Sequence, residues 1–282
     1  MKAINFIIPV SLFFVLSSFK ALPSEPAKGK LFIIGGGDKT IEMMDELVSI
    51  SGIGINDYVF VLPMAGSEPD SSIIWARESF KSTAAKHITG YNFRKGEVPP
   101  AGSLDSLRRA KLIYISGGDQ ARFMDVVKNS PVMDAILAAY KNGAVISGTS
   151  AGAAVMSRLM ITGNQKKHPE SETGFKTIEE NNVEISEGLG LLQDVIVDQH
   201  FIKRQRLNRL ISVSIEHPDK LCVGIDESTA IIVDGNTARV TGNSQVIVIK
   251  NMDAIKKVHK GLLGTENIKI SVYLPGQTFS LR

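Results

Sequence analysis

The chain has 282 residues, a formal net charge of +3, 43% hydrophobic residues and one cysteine. This length suits one large domain, and so small a net charge excludes the electrostatic footprint of a nucleic-acid-binding protein. The single Cys222 cannot form an internal disulfide, and its apolar neighbours predict a buried side chain.

The amino terminus has the pattern of a secretory signal peptide. A basic start at Lys2 precedes an apolar block from Phe6 to Leu16, and small residues lead to Ala21. The apolar block is short for a membrane span, and an uncleaved anchor is the alternative. We predict a leader over residues 1–21, a tether over 22–28 and one domain over 29–282. The expected location is secreted or periplasmic, with no membrane contact beyond the leader.

Four βα units follow, each opening with a continuous apolar run of strand length. Such runs suit strands buried on both faces of a parallel sheet. They cover residues 30–34, 58–62, 111–116 and 144–147. Helical patterns lie between them, including one at 73–85 with a start near Pro69. The alternation predicts an α/β fold with a doubly wound, mostly parallel sheet.

Glycine clusters close three of these strands, at residues 35–37, 117–118 and 148–152. Ligands bind beyond the carboxyl ends of parallel strands, so we expect the three loops to share one crevice. The first cluster lacks the G-x-G-x-x-G spacing, and the chain has no G-x-x-x-x-G-K-[ST] motif. No nucleotide cofactor is therefore predicted.

The second half of the chain is less regular. Between Thr162 and Gly190 the pattern weakens, which predicts a long loop or an excursion of short strands, either a lid or a solvated insertion. A strand at 195–200, a helix at 201–216 and a strand at 221–225 follow. Alternating residues at 230–233, 238–241 and 246–249 predict an antiparallel hairpin at the sheet edge or a small second sheet.

The segment Gly148-Thr149-Ser150-Ala151-Gly152 matches a nucleophile elbow. It lies between an apolar run and a helical pattern, and its two glycines permit the sharp strand-to-helix turn that this motif requires. Ser150 is therefore the candidate nucleophile. The N–H of Ala151 is a candidate donor to an oxyanion.

A serine nucleophile needs a base, and His200 is the best-placed histidine because it ends a strand within a polar cluster. His168, in the polar excursion, is a second candidate. The acid that orients the base is left open by the residues themselves. Asp198 shares a strand face with His200, and the other candidates are Asp226, Glu227, Glu179 and Glu180.

Four motifs taken together resemble one family of serine peptidases, which includes the cyanophycinases and aspartyl dipeptidase (peptidase E). They are Gly117-Gly118-Asp119-Gln120, the elbow, Asp198-Gln199-His200-Phe201 with its following arginines, and Gly224-Ile225-Asp226-Glu227. The resemblance implies a flavodoxin-like fold similar to class I glutamine amidotransferases. It covers residues 29–250, and the leader and the polar excursion depart from it.

The resemblance also implies roles for individual residues. Ser150 is then the nucleophile, His200 the base and Glu227 the favoured acid, with the N–H groups of Gly118 and Ala151 as the oxyanion hole. The residues expected to line the substrate pocket are Gln120, Asp198, Gln199, Arg204, Arg206 and Arg209. No metal or organic cofactor is implied, and the oligomeric state, with a homodimer as one option, is open.

The function implied is hydrolysis of cyanophycin, a poly-aspartate whose side chains carry arginine, to β-aspartyl-arginine dipeptides. Each repeat presents a carboxylate and a guanidinium, which the arginines and Asp198 complement. In a regular helix Arg206 and Arg209 share a face and Arg204 does not, so one arginine is expected to be structural or solvated. The alternatives are a peptidase for other aspartyl or isoaspartyl peptides and a non-catalytic peptide- or carbohydrate-binding relative.

Overall fold

The computed structural model describes residues 29–170 and 174–282, so the predicted leader and tether lie outside it. The first half of the chain contains β1 (Lys30–Ile34), α1 (Ile41–Ser51), β2 (Val59–Leu62), α2 (Pro69–Phe80), β3 (Ile88–Gly90), α3 (Ala101–Arg109), β4 (Leu112–Ile115), α4 (Gln120–Val127) and α5 (Pro131–Lys141). It is followed by β5 (Val145–Thr149), α6 (Ala151–Ala154), β6 (Leu159–Gln165), β7 (Val183–Glu187), β8 (Val195–Gln199), α7 (Leu207–Glu216), β9 (Leu221–Ile225) and β10 (Thr229–Asp234). The chain closes with β11 (Thr237–Gly242), β12 (Val246–Asn251), β13 (Lys257–His259), β14 (Leu262–Gly264), β15 (Ile268–Tyr273) and β16 (Thr278–Ser280).

The main sheet has eight strands in the order β16-β11-β10-β1-β5-β4-β2-β3. The five strands from β1 to β3 in this order are parallel, and the remaining pairings are antiparallel. Along β1, Phe32 packs in one apolar layer with α1 and α2, whereas Ile33 packs in the opposite layer with α3 to α6. Both faces of the sheet are covered, and the predicted α/β class with a mostly parallel sheet is confirmed.

A second sheet has the order β15-β12-β9-β8. Its β8 and β9 are parallel, and β12 pairs with β9 in antiparallel register. Both predicted outcomes for the alternating segments therefore occur together. Strands β10 and β11 form a hairpin in the main sheet, whereas β12 belongs to the second sheet.

The helix predicted over residues 201–216 is shorter than expected, because α7 begins only at Leu207. His200 and Gln205 have positive φ angles of 49° and 50°, which interrupt a helical path. Between them the N–H groups of Ile202 and Lys203 donate to Asp226 Oδ1 at 3.0 and 2.9 Å. These tertiary hydrogen bonds hold residues 201–206 as a turn.

Two further boundaries differ from the sequence predictions. Helix α2 ends at Phe80 rather than at residue 85. After it, the N–H of Lys81 donates to the carbonyl of Glu78, and the Thr83 hydroxyl donates to the carbonyl of Phe80. The polar excursion contains the antiparallel pair β6 and β7, the short-strand outcome. Within residues 29–170 and 174–282, no helix combines the length and hydropathy that crossing a bilayer requires.

Candidate active site

Ser150 lies in a strained turn between β5 and α6. Its φ of 54° and ψ of −111° fall outside the common regions for a side-chain-bearing residue, a conformation that costs on the order of 1–3 kcal/mol. A Cβ on Gly148 would lie 2.1 Å from the carbonyl oxygen of Gly152, and one on Gly152 would lie 2.4 Å from that of Ile115. Both flanking positions thus require glycine, as the elbow motif predicts.

The loop after β1 fixes the backbone at three points of the site. Three successive carbonyl oxygens, of Ile34, Gly35 and Gly36, each accept one backbone hydrogen bond. The donors are the N–H groups of Ser150 (3.0 Å), His200 (2.7 Å) and Ser228 (2.9 Å), respectively. One loop therefore positions the serine, the histidine and the residue that follows Glu227.

Glycine at position 36 lets this loop lie against the histidine ring. Its φ is 114°, and a Cβ there would lie only 2.3 Å from His200 Cε1. The sequence analysis predicted that the glycine cluster at residues 35–37 lies at the crevice but gave it no role. In the structure it packs against the imidazole of His200.

The structure brings Ser150, His200 and Glu227 into one hydrogen-bonded row. His200 Nε2 lies 2.8 Å from Ser150 Oγ, and His200 Nδ1 lies 2.6 Å from Glu227 Oε1. The carboxylate can only accept, so Nδ1 carries the proton and Nε2 is left to accept from the serine hydroxyl. This is the geometry of a nucleophile, a general base and an orienting acid.

The other candidate acids bond elsewhere. Asp198 pairs with Arg209, and Asp226 accepts backbone N–H groups and the hydroxyl of Ser244. Although Asp198 lies two residues before His200, its carboxylate bonds to Arg209, and the acid that contacts the imidazole is Glu227.

In the excursion, Glu179 Oε2 lies 2.9 Å from Nε2 of His168, the second candidate base. The backbone N–H of the adjacent Glu180 donates to Gly261 O. Neither residue contributes to the row at Ser150.

Two backbone donors beside the serine are unpaired within the described residues: the N–H groups of Gly118 and Ala151. Gly118 has a φ of 137°, and a Cβ there would lie 2.1 Å from the carbonyl oxygen of Ala65. A Cβ on the preceding Gly117 would lie 3.9 Å from Ser150 Oγ, so this loop passes close to the hydroxyl. Helix α6 has only four residues, so its dipole is small. The two N–H groups themselves would therefore provide most of the stabilisation of an oxyanion.

Burial lowers the pKa of His200 below its usual value of about 6.5. The hydrogen bond to Glu227 opposes this shift, whereas the positive charges of Arg204 and Arg206 add to it. The lowered pKa favours the neutral imidazole, which is the form that can act as a base.

We expect kcat/KM to fall on the acid side with a midpoint below 6.5, since protonation removes the base as the pH drops through this pKa. Arg204→Gln removes a positive charge and should move that midpoint upward. The measurement is a pH profile of ester hydrolysis for the wild type and for Arg204→Gln. A control variant, Arg94→Gln, removes a charge that pairs with Glu97 and should leave the midpoint in place. Identical midpoints in all three would contradict the electrostatic assignment.

A basic cavity of about 1020 Å³ lies beside the site. Arg204, Arg206 and Arg209 line it, together with cationic residues that the sequence analysis missed, Lys166, Lys176 and Lys203. Glu184 is the single carboxylate lining it within the described residues. The missed lysines lie in the polar excursion and the turn at 201–206, where no periodic pattern marks them.

The arginines differ in their partners. Arg209 is 4% exposed, donates through Nε and Nη2 to both oxygens of Asp198, and lies 5.6 Å from the ring of Phe175. Arg206 donates through Nη1 to the backbone and side-chain oxygens of Gln199, and the same Nη1 lies 3.5 Å from Asp198 Oδ1. Burial lowers the pKa of Arg206 to about 10. Arg204 is exposed. The helix-face argument does not apply, because Arg204 and Arg206 precede α7.

Three other expected pocket residues are largely enclosed. Asp198 is 1% exposed and holds Arg209, Gln199 holds Arg206, and the Gln120 amide donates to the backbone of β6 at Ile161 and Thr162. The expectation that Asp198 faces a substrate guanidinium is not met, because its oxygens are occupied. Among the described residues no cluster of three or more histidine, cysteine or acidic side chains could hold a metal.

Comparisons with known proteins agree on one family. The model of peptidase family S51 matches residues 31–241. A cyanophycinase from Nostoc sp. is 31% identical over 91% of this chain and 87% of its own, and one from Synechococcus elongatus is 30% identical over 90% and 80%.

Solved structures support the fold. The structure of a peptidase from an acI-B1 Actinobacterium has a TM-score of 0.66 at 22% identity, covering 90% of this chain and 97% of that one. A putative peptidase E from Listeria monocytogenes has a TM-score of 0.51 at 17% identity, covering 77% and 99%. The resemblance stated from the four motifs is confirmed: the chain belongs to peptidase family S51 and is a serine peptidase similar to the cyanophycinases.

Proposed function

We propose that this chain is an exported serine exopeptidase that hydrolyses cyanophycin to β-aspartyl-arginine dipeptides. The observation that carries the catalytic part is the hydrogen-bonded row of Ser150, His200 and Glu227. Beside it lie the N–H groups of Gly118 and Ala151, which have no acceptor among the described residues. The cyanophycinase relatives and the basic cavity support the substrate.

In the proposed mechanism Ser150 Oγ attacks the carbonyl carbon of the scissile bond while His200 Nε2 takes its proton. The N–H groups of Gly118 and Ala151 bind the oxyanion of the tetrahedral intermediate. His200 then gives the proton to the leaving amine, and an acyl-enzyme ester on Ser150 remains. Water, deprotonated by His200, hydrolyses this ester and regenerates the serine.

The substrate argument rests on charge. Cyanophycin presents a carboxylate and a guanidinium on every repeat. Among the described residues, the basic cavity is lined by six lysine and arginine side chains and one glutamate. Arg206 uses Nη1 for both of its hydrogen bonds, so Nη2 has no partner among the described residues and remains available to a carboxylate. A peptidase for other aspartyl peptides would need only part of this cationic surface.

The test is incubation of purified protein with insoluble cyanophycin, followed by mass analysis of the soluble products. We expect β-aspartyl-arginine dipeptide as the main product, with little larger material if cleavage proceeds from a chain end. Release of long fragments would contradict exopeptidase action. Cleavage of isoaspartyl dipeptides with no action on the polymer would favour the other aspartyl peptidase.

Export rests on the sequence of the first 21 residues. If they are a signal peptide, protein recovered from the native host should begin near Leu22 and lie outside the cytoplasm. N-terminal sequencing measures this directly, with a cytoplasmic protein of the same cells as the fractionation control. A protein that still begins at Met1 would argue for an anchor or a cytosolic enzyme.

A further inference from the structure

A second cavity, of about 610 Å³, contains Ser150 and His200 and has polar groups that the mechanism leaves unused. One wall is the loop after β1, which carries Lys39. Another is formed by α2 and its amino-terminal cap, with Trp75 and Glu68. We call it the serine cavity.

Two donors in the serine cavity have no protein acceptor. Lys39 is half-buried, and its ammonium makes no hydrogen bond or ion pair within the described residues. Burial lowers its pKa, while the charge of Asp38 partly opposes the shift. Ser116 Oγ, in a residue only 5% exposed, is likewise unpaired. A half-buried cation and a buried hydroxyl without partners are costly unless a ligand pairs with them, and a carboxylate has the oxygens to accept from both.

The α2 wall has the opposite character. Trp75 is 66% exposed although it is a large aromatic residue. Glu68, at the amino-terminal cap of the helix, is exposed, and among the described residues its carboxylate accepts one hydrogen bond, from Ser71 Oγ at 3.1 Å. A planar guanidinium stacks on an indole face and pairs with a carboxylate. The serine cavity therefore contains a cationic corner and an anionic, aromatic wall.

We propose that the serine cavity is a subsite for one aspartyl-arginine unit of the substrate, in which Lys39 and Ser116 bind the carboxylate while Trp75 and Glu68 bind the guanidinium. This inference rests on the proposed function and adds a second recognition element to it. The basic cavity is lined mainly by cations, whereas the serine cavity presents a cation and a carboxylate on separate walls and suits a group that carries both charges. It would thus distinguish an arginine-bearing repeat from a plain aspartyl peptide.

The test uses three synthetic trimers of the β-aspartyl-arginine repeat. The first trimer is unmodified. The second has argininamide in place of arginine and so lacks the carboxylates of the arginines. The third has citrulline in place of arginine and so lacks the guanidinium charges.

Lys39→Met should raise KM for the unmodified trimer about tenfold to a hundredfold, and hardly change it for the argininamide trimer. Glu68→Gln should raise KM for the unmodified trimer about three- to tenfold, and not for the citrulline trimer.

A small activated ester supplies the control reaction, and Lys81→Met supplies the control variant, because Lys81 is exposed and pairs with Glu78. Both subsite variants should hydrolyse the ester at the normal rate. Trp75 is the single tryptophan of the chain, so its fluorescence in Ser150→Ala should change on adding the unmodified trimer.

The outcomes separate the two proposals. If the wild-type protein cleaves no trimer, the cyanophycin assignment fails and the subsite with it. If the wild type cleaves the trimers but Lys39→Met and Glu68→Gln affect all of them equally, or affect the ester as much, the subsite alone is overturned. If the fluorescence of Trp75 stays unchanged when the trimer binds, the proposal that Trp75 and Glu68 bind the guanidinium is likewise overturned.

Discussion

Ser150→Ala is expected to lower kcat by about 10⁴- to 10⁶-fold, on both cyanophycin and a small ester. Alanine keeps the Cβ of Ser150 and lacks only the hydroxyl oxygen. The nucleophile is therefore lost, while His200 and Glu227 keep their hydrogen bond. The measurement is steady-state kinetics with a highly purified variant. Binding of substrate should remain, because the cavities are unchanged.

Ser147→Ala is the matched control for this variant. Ser147 lies on β5, three residues before Ser150, is fully buried, and its Oγ has no hydrogen-bond partner among the described residues. Its replacement removes a hydroxyl of the same kind away from His200, and activity should stay near that of the wild type. Removing an unpaired buried hydroxyl should also not lower the thermal midpoint. Activity of Ser150→Ala above about one tenth of the wild type would disprove the assigned nucleophile.

The elbow and its histidine could be predicted because their signals are local or topological. Glycines 148 and 152 mark positions where a side chain would clash with the turn itself or with the neighbouring strand β4. A histidine at the end of a parallel strand lies at the sheet edge where the elbow is found. The acid could not be chosen from the residues alone. Asp198, Asp226 and Glu227 all end strands of the right kind, and only tertiary packing shows that the first two bond to other groups.

The turn at 201–206 shows a second limit of local reasoning. Its sequence has no glycine or proline, and helical propensity alone continues α7 backward to Phe201. The turn forms because Asp226, more than twenty residues later, accepts its N–H groups. A side chain from another strand thus decides the backbone, and with it the positions of Arg204 and Arg206 in the basic cavity.

Arg209→Ala is expected to destabilise the protein by about 1.5–3 kcal/mol, because the buried Asp198 carboxylate loses its two hydrogen bonds to the guanidinium and keeps Arg206, at 3.5 Å, as its remaining cationic neighbour. Arg209 and Asp198 are 4% and 1% exposed, so water cannot replace the lost charge. The measurement is the free energy of unfolding in urea, with Arg282→Ala, at the exposed carboxyl terminus, as the control. A loss below about 1 kcal/mol would contradict a structural ion pair.

Arg206→Ala should have a different effect. Removing its partly available guanidinium is expected to lower kcat/KM for cyanophycin about ten- to a hundredfold and to spare ester hydrolysis. In Arg209→Ala, by contrast, ester and polymer activities should fall together as the folded fraction falls. Dividing the polymer rate by the ester rate for each variant separates the two roles. An unchanged ratio in Arg206→Ala would make both arginines structural, and the recognition of carboxylates would then fall to the lysines and Arg204.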